Sequence, residues 1–207
     1  MTTDLWILFK SLCTGFFYTF LTITGMLLVA HYVIKENVKS GIIGAAGIIT
    51  VQIIWTAIAV ILLHFSYKGF GSETKTFALI GSIILFIMAI KVYRSRDPYG
   101  KEPRLKTVPA AIFASTFVLS LAIPQRILGY GAIFLALNIH PSVPGLQQSI
   151  LPVIGVFLGT SFFWLIFIVA IHHSKKIIPP KVLQHIHQFA AFILVAFSII
   201  GLLQIYF

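Results

Sequence analysis

Apolar stretches long enough to cross a bilayer alternate with short polar runs along the whole chain. The pattern predicts six membrane-spanning helices, at about 5–33, 41–65, 76–93, 109–137, 150–171 and 183–207. Lys35-Glu36-Asn37-Val38-Lys39 closes the first, and Tyr67-Lys68-Gly69-Phe70-Gly71-Ser72-Glu73 closes the second. The longest polar run, Arg94 to Pro103, closes the third. Asn138 to Gln148, with Pro141, Pro144 and Gly145, separates the fourth from the fifth. His172 to Lys176 and Pro179-Pro180 separate the last two. The first and fourth spans exceed what a straight crossing needs, so tilt or a break is expected in each.

Composition narrows the class. With 207 residues, mean hydropathy +1.00, 58% hydrophobic and 10% charged residues, the chain is not a soluble globular protein. No stretch is polar enough for a separate soluble domain. We therefore expect one all-α integral membrane domain over residues 1–207. The single cysteine, Cys13, excludes a disulfide framework within one chain. Met1 to Trp6 lacks the basic start of a cleaved signal peptide.

The net charge of +10 is concentrated in particular loops. The loops after spans one, three and five carry eleven Lys and Arg, from Lys35 to Lys181, against Lys10, Lys68 and Lys75 on the opposite side. By the positive-inside rule the odd-numbered loops are cytoplasmic and both termini lie outside, as in a multi-pass inner-membrane protein. Such placement points to anionic lipid rather than nucleic acid as the partner of these charges.

The pattern also reads as a degenerate duplication, with halves at about 1–96 and 107–207. Gly44 and Gly47 precede Trp55 in one half, and Gly155 and Gly159 precede Trp164 in the other. Phe77-Ala78 opens span three, and Phe189-Ala190 opens span six. Three spans per half give the halves opposite orientations, so the expected architecture is two inverted three-helix repeats.

Arg126 is the most informative residue. It is the only charge between Ala110 and Leu137, two positions after Pro124. Proline removes a backbone donor, which frees the Ser120 carbonyl in an ideal helix and predicts a break beside the charge. A guanidinium at membrane depth costs several kcal/mol unless it faces a cavity or a partner. The bland alternative is that its long side chain snorkels to the nearer interface. Gln52, in span two, is the other expensive group, because an unpaired amide is costly in hydrocarbon. In the duplicated scheme Thr22-Ile23-Thr24-Gly25 of span one stands opposite Pro124-Gln125-Arg126. The candidate substrate-binding set is therefore Arg126, Gln125, Pro124, Thr22, Thr24, Gly25 and Gln52.

Enzymatic chemistry is disfavoured. The acidic residues Asp4, Glu36, Glu73, Asp97 and Glu102 all lie outside the spans, so no buried acid–base pair is available. His172-His173 and His185-x-His187 lack the spacing that places two metal ligands on one helix face. No metal or cofactor is expected. His31 is a candidate proton carrier by its intrinsic pKa and otherwise an interfacial residue.

The glycine and charge patterns resemble the lysine-exporter superfamily of amino-acid translocators over nearly the full length. The parts that look alike are Lys39-Ser40-Gly41 with Gly44, Gly47 and Trp55, and Phe77 to Gly81 running on to Arg96. Pro124 before a long apolar run, and Gly155, Gly159 and Trp164, complete the likeness. Thr22-Ile23-Thr24-Gly25 stands where the family carries Pro-Gly-Pro, and Ile123-Pro124-Gln125-Arg126 where it carries Asn-Pro-Lys. Gln52 replaces a frequent acid. The resemblance implies a secondary transporter exporting an amino acid or similar small metabolite across the inner membrane by alternating access. Its partners would be that small-molecule substrate, membrane lipids and, as an open option, further copies of the chain in a homo-oligomer. The rival reading is a non-transporting scaffold of the same fold that binds a partner or anionic lipid through its basic loop 94–106.

Overall fold

The computed structural model describes residues 2–70, 74–94, 108–123, 126–139, 146–174 and 180–206. Every regular element among them is helical. The chain runs α1 (Thr2–Tyr18), a 3₁₀ turn (Thr19–Leu21), α2 (Ile23–Lys35), α3 (Val38–Phe70) and α4 (Thr74–Arg94). It continues through α5 (Pro109–Leu121), α6 (Arg126–Ala136), α7 (Leu146–Ser174) and α8 (Pro180–Tyr206). Among the described residues two segments, Val38–His64 and Ile150–Ser174, are long and apolar enough to cross a membrane singly, and up to four do so if each bent pair counts as one span. On α3 and α7 the outward side chains, among them Ile61, Leu62, Phe162 and Leu165, are apolar and exposed. Helices this long with apolar outer faces mark a membrane protein.

The two bent pairs fall where the sequence predicts over-long spans. α1 and α2 meet at 79°, and α5 and α6 at 65°. No proline lies in the first break. There the run Tyr18-Thr19-Phe20-Leu21-Thr22 is aromatic and β-branched, poor material for a helix interior. The Thr19 hydroxyl donates to the Gly15 carbonyl at 2.6 Å, and the chain tightens into a 3₁₀ turn closed by Thr22 N–H on the Thr19 carbonyl at 2.8 Å. Thr22 leaves helical geometry, at φ −90° and ψ 47°, before α2 begins. At the second break the expected free Ser120 carbonyl is not found: it accepts the Ile123 N–H at 3.3 Å, in the manner of a tightened last turn.

Other boundaries differ from the hydropathy pattern. α3 continues to Phe70, into the polar run expected to end it, and α7 continues through His172 and His173 to Ser174. Most of the residues added cost only a fraction of a kcal/mol each in a helix, so a long helix can run on beyond its apolar face. α6 ends where Asn138 takes φ 54°, a left-handed position that asparagine tolerates. Lys10 Nζ donates to the adjoining Leu137 carbonyl at 2.7 Å, which ties α1 to the negative end of α6. Asn37 Oδ1 accepts the Ser40 N–H at 2.9 Å and caps the start of α3.

Packing links the first helix of each bent pair to a long helix from the other half of the chain. α1 lies along α7, α5 along α3, and α4 lies against α8. Glycines make the first two crossings close. A Cβ on Gly155 would stand 2.6 Å from Ser11 Cβ, and one on Gly159 would run into the Leu12 carbonyl. On α3, a Cβ on Gly47 would reach the Phe113 carbonyl at 2.6 Å. Backbones approach this closely only where side chains are absent.

Candidate functional site

Where α1, α3 and α6 converge, polar groups gather inside the apolar interior. Arg126 opens α6 and is 6% exposed, so its charge lies within the protein rather than at its surface. Tyr130 follows it by one helical turn and is fully buried. Tyr18, at the end of α1, packs its ring 4.5 Å from that of Tyr130. The Tyr18 hydroxyl lies over Gly129, where any side chain would displace it. Both phenols sit close enough to the Arg126 guanidinium to interact with it electrostatically.

On α3, Gln52 and Thr56 are one turn apart and both buried. Gln52 Nε2 donates to Thr22 Oγ1 at 3.2 Å, and Thr56 Oγ1 donates to the Gln52 carbonyl at 2.7 Å. Thr56 stands beside the Tyr130 hydroxyl, which nonetheless has no hydrogen-bond partner of good geometry. Two further buried atoms of this cluster also lack partners, Arg126 Nη1 and Gln52 Oε1. Native interiors rarely leave such groups unpaired, so water or a ligand is needed to satisfy them. The potential has a definite sign. A guanidinium at the first residue of an eleven-residue helix adds its charge to the positive end of the helix dipole, so the centre favours an anion.

The residues singled out from sequence fall into three groups. Arg126, Thr22 and Gln52 are buried, and the last two are bonded to each other. Gly25 packs α2 against α3: a Cβ there would stand 2.8 Å from both Ile48 Cδ1 and Thr22 Cγ2. Thr24 is exposed and stands apart from the buried cluster. Pro124 and Gln125 lie outside the described residues, as do most of the basic loop 94–106 and Lys175 and Lys176.

Sequence reasoning missed Tyr18 and Tyr130. For Tyr130 the signal was its position four residues after Arg126, on the same helix face. Tyr18 carries no such mark, because the 79° bend that brings it to α6 is not encoded by proline or glycine at the turn. His31 half-buries its ring and donates Nδ1–H to the Leu27 carbonyl at 2.9 Å. Among the described residues no three His, Cys, Asp or Glu side chains come together as a metal site requires.

The fold and the polar centre define a helical membrane protein with a buried cationic site at a helix break. No family model, curated protein or solved structure matches the chain. The likeness to the lysine-exporter superfamily therefore rests on the residue patterns alone.

Proposed function

We propose that the protein is a secondary transporter that moves a small carboxylate-bearing metabolite, an amino acid or a similar compound, outward across the inner membrane by alternating access. The observation that carries this reading is the unpartnered Nη1 of Arg126, buried at the start of α6 beside a break between two helices. Arginine at such a place presents a planar fork to a carboxylate, and broken helices bring backbone dipoles to the same point. The Tyr130 hydroxyl and the remaining amide atom of Gln52 supply neutral hydrogen bonds for the rest of the ligand.

On this reading the chain is one polytopic domain of six spans, with α1–α2 and α5–α6 as the broken spans one and four. The halves are inverted repeats. Two features favour that arrangement: each half runs bent pair, long helix, long helix, and the glycines of α3 and α7 seat the first helix of the opposite half's bent pair. Both termini lie outside and the basic loops in the cytoplasm. The α2–α3 turn and the end of α7 border one pocket of about 820 Å³, so these two element ends lie on the same side, as the proposed topology requires. The two breaks give each half an internal hinge, and rocking of the halves would open the Arg126 centre to one side and then the other.

Reconstitution into proteoliposomes tests the function. Uptake of a substrate from a panel of labelled amino acids and related carboxylates should be saturable, and Arg126→Ala should abolish it while the chain still inserts. Arg126→Lys keeps the charge but loses the fork and should retain a fraction of the rate. A scaffold would show the reverse sensitivity. It would tolerate Arg126→Ala and lose its partner or lipid when Arg94, Arg96, Lys101, Arg104 and Lys106 are neutralised.

A further inference from the structure

The carboxylate end of a ligand has a charged partner at this centre, whereas an ammonium end finds only neutral acceptors, Gln52 Oε1 and the Tyr130 hydroxyl. The other polar groups at the two breaks are already bonded or lie apart. Thr22 Oγ1 accepts from Gln52, the Ser120 carbonyl accepts from Ile123, and Thr24 is exposed outside the cluster. Among the described residues no acidic side chain is near. Asp4 stands in the first turn of α1, about 21 Å along the helix from Tyr18, and Glu36 ends α2 at a similar distance from Thr22. Glu73, Asp97 and Glu102 fall in the predicted loops. Among the described residues the centre thus holds a guanidinium and a helix N-terminus with only neutral groups around them.

We propose that the Arg126 centre selects a small organic monoanion, a carboxylate without a compensating ammonium, over the zwitterionic amino acid of the same skeleton. This rests on the transporter reading and narrows its substrate class. A monoanion neutralises the buried charge of the site. A zwitterion leaves the site with its full positive charge and adds an ammonium that has lost its water and gained no anionic partner. The Tyr130 hydroxyl and Gln52 Oε1 suit a hydroxyl group on the ligand, since the phenol can donate to it and the amide oxygen can accept from it. Burial magnifies the distinction, because the cluster lies in the protein interior, where charges are weakly screened.

Matched pairs of 2-hydroxy and 2-amino acids, beginning with lactate and alanine, provide the test. The members of each pair share a carbon skeleton and differ in a hydroxyl against an ammonium. Thermal unfolding of the purified full chain in detergent is followed with each acid, with lactamide and with sodium chloride at matched ionic strength. The hydroxy acid of the best-fitting pair should raise the melting temperature at a concentration at least about tenfold below that needed for its amino partner. Lactamide and chloride should have no specific effect. Arg126→Gln should lose the stabilisation by hydroxy acids, and Arg126→Lys should keep the preference with weaker binding. Amino acids that bind as well as their hydroxy partners, with uptake intact, would overturn the monoanion assignment and leave the transporter standing. Stabilisation by chloride equal to that by carboxylate would overturn it in favour of an unselective anion site. Absence of both binding and uptake for every acid would remove the assignment and the transporter reading together.

Discussion

The bond between Gln52 and Thr22 joins α3 to the start of α2 inside the protein, at a point where neither side chain meets bulk water. Interhelical hydrogen bonds of this kind contribute about 0.6 kcal/mol in membrane helices, because the separated helices also find partners. A double-mutant cycle of Gln52→Leu and Thr22→Val, read by chemical unfolding in detergent, should return a coupling of that order. A coupling of zero would mean the two side chains are not bonded. Arg126 and Gln52 were legible as residues because charge and amide are rare in apolar runs. Their partners were less legible. Tyrosine is common in membrane helices, and only the folded bend decides that Tyr18 faces Arg126 and not lipid.

Helices α1 and α7 cross at backbone contact, so their packing depends on glycine rather than on apolar bulk. Gly159→Ala places a methyl group against the Leu12 carbonyl and 2.8 Å from the Phe16 amide, and neither can move without shifting α1. The expected loss is about 1–3 kcal/mol, seen as a lower melting temperature. Gly131, in the middle of α6, has no atom within 4 Å of the position a Cβ would take. Gly131→Ala should therefore be neutral or gain up to about 1 kcal/mol from helix propensity. Equal effects at the two sites would contradict the close crossing. The apolar runs and the glycine spacings showed these helices in the sequence. The ends were harder to read, since α3 and α7 carry polar residues as helix beyond their apolar stretches. The 3₁₀ break at Thr19–Leu21 was hidden for another reason: it arises from β-branched crowding and a threonine hydroxyl, not from proline.

For the molecule as a whole, the orientation proposed for transport rests on the eleven-to-three asymmetry of basic residues. In a chain with Cys13 replaced by serine, cysteines at Ser95 and Ser142 should react with an impermeant thiol reagent from opposite sides of the membrane. Labelling of position 95 from outside intact cells would reverse the assignment. Alternating access requires that the buried polar centre at the helix breaks become reachable from each side in turn. Thr22→Cys in the same Cys13-free background places a thiol beside Gln52, at a position that is 3% exposed. Its rate of modification by an impermeant reagent, measured separately from the inside and the outside of reconstituted vesicles, tests that requirement directly. The account predicts slow labelling from both sides, slowed further by a bound carboxylate and insensitive to it in Arg126→Gln. A thiol that stays unmodified from both sides, or one reached from a single side whatever ligand is present, would contradict it.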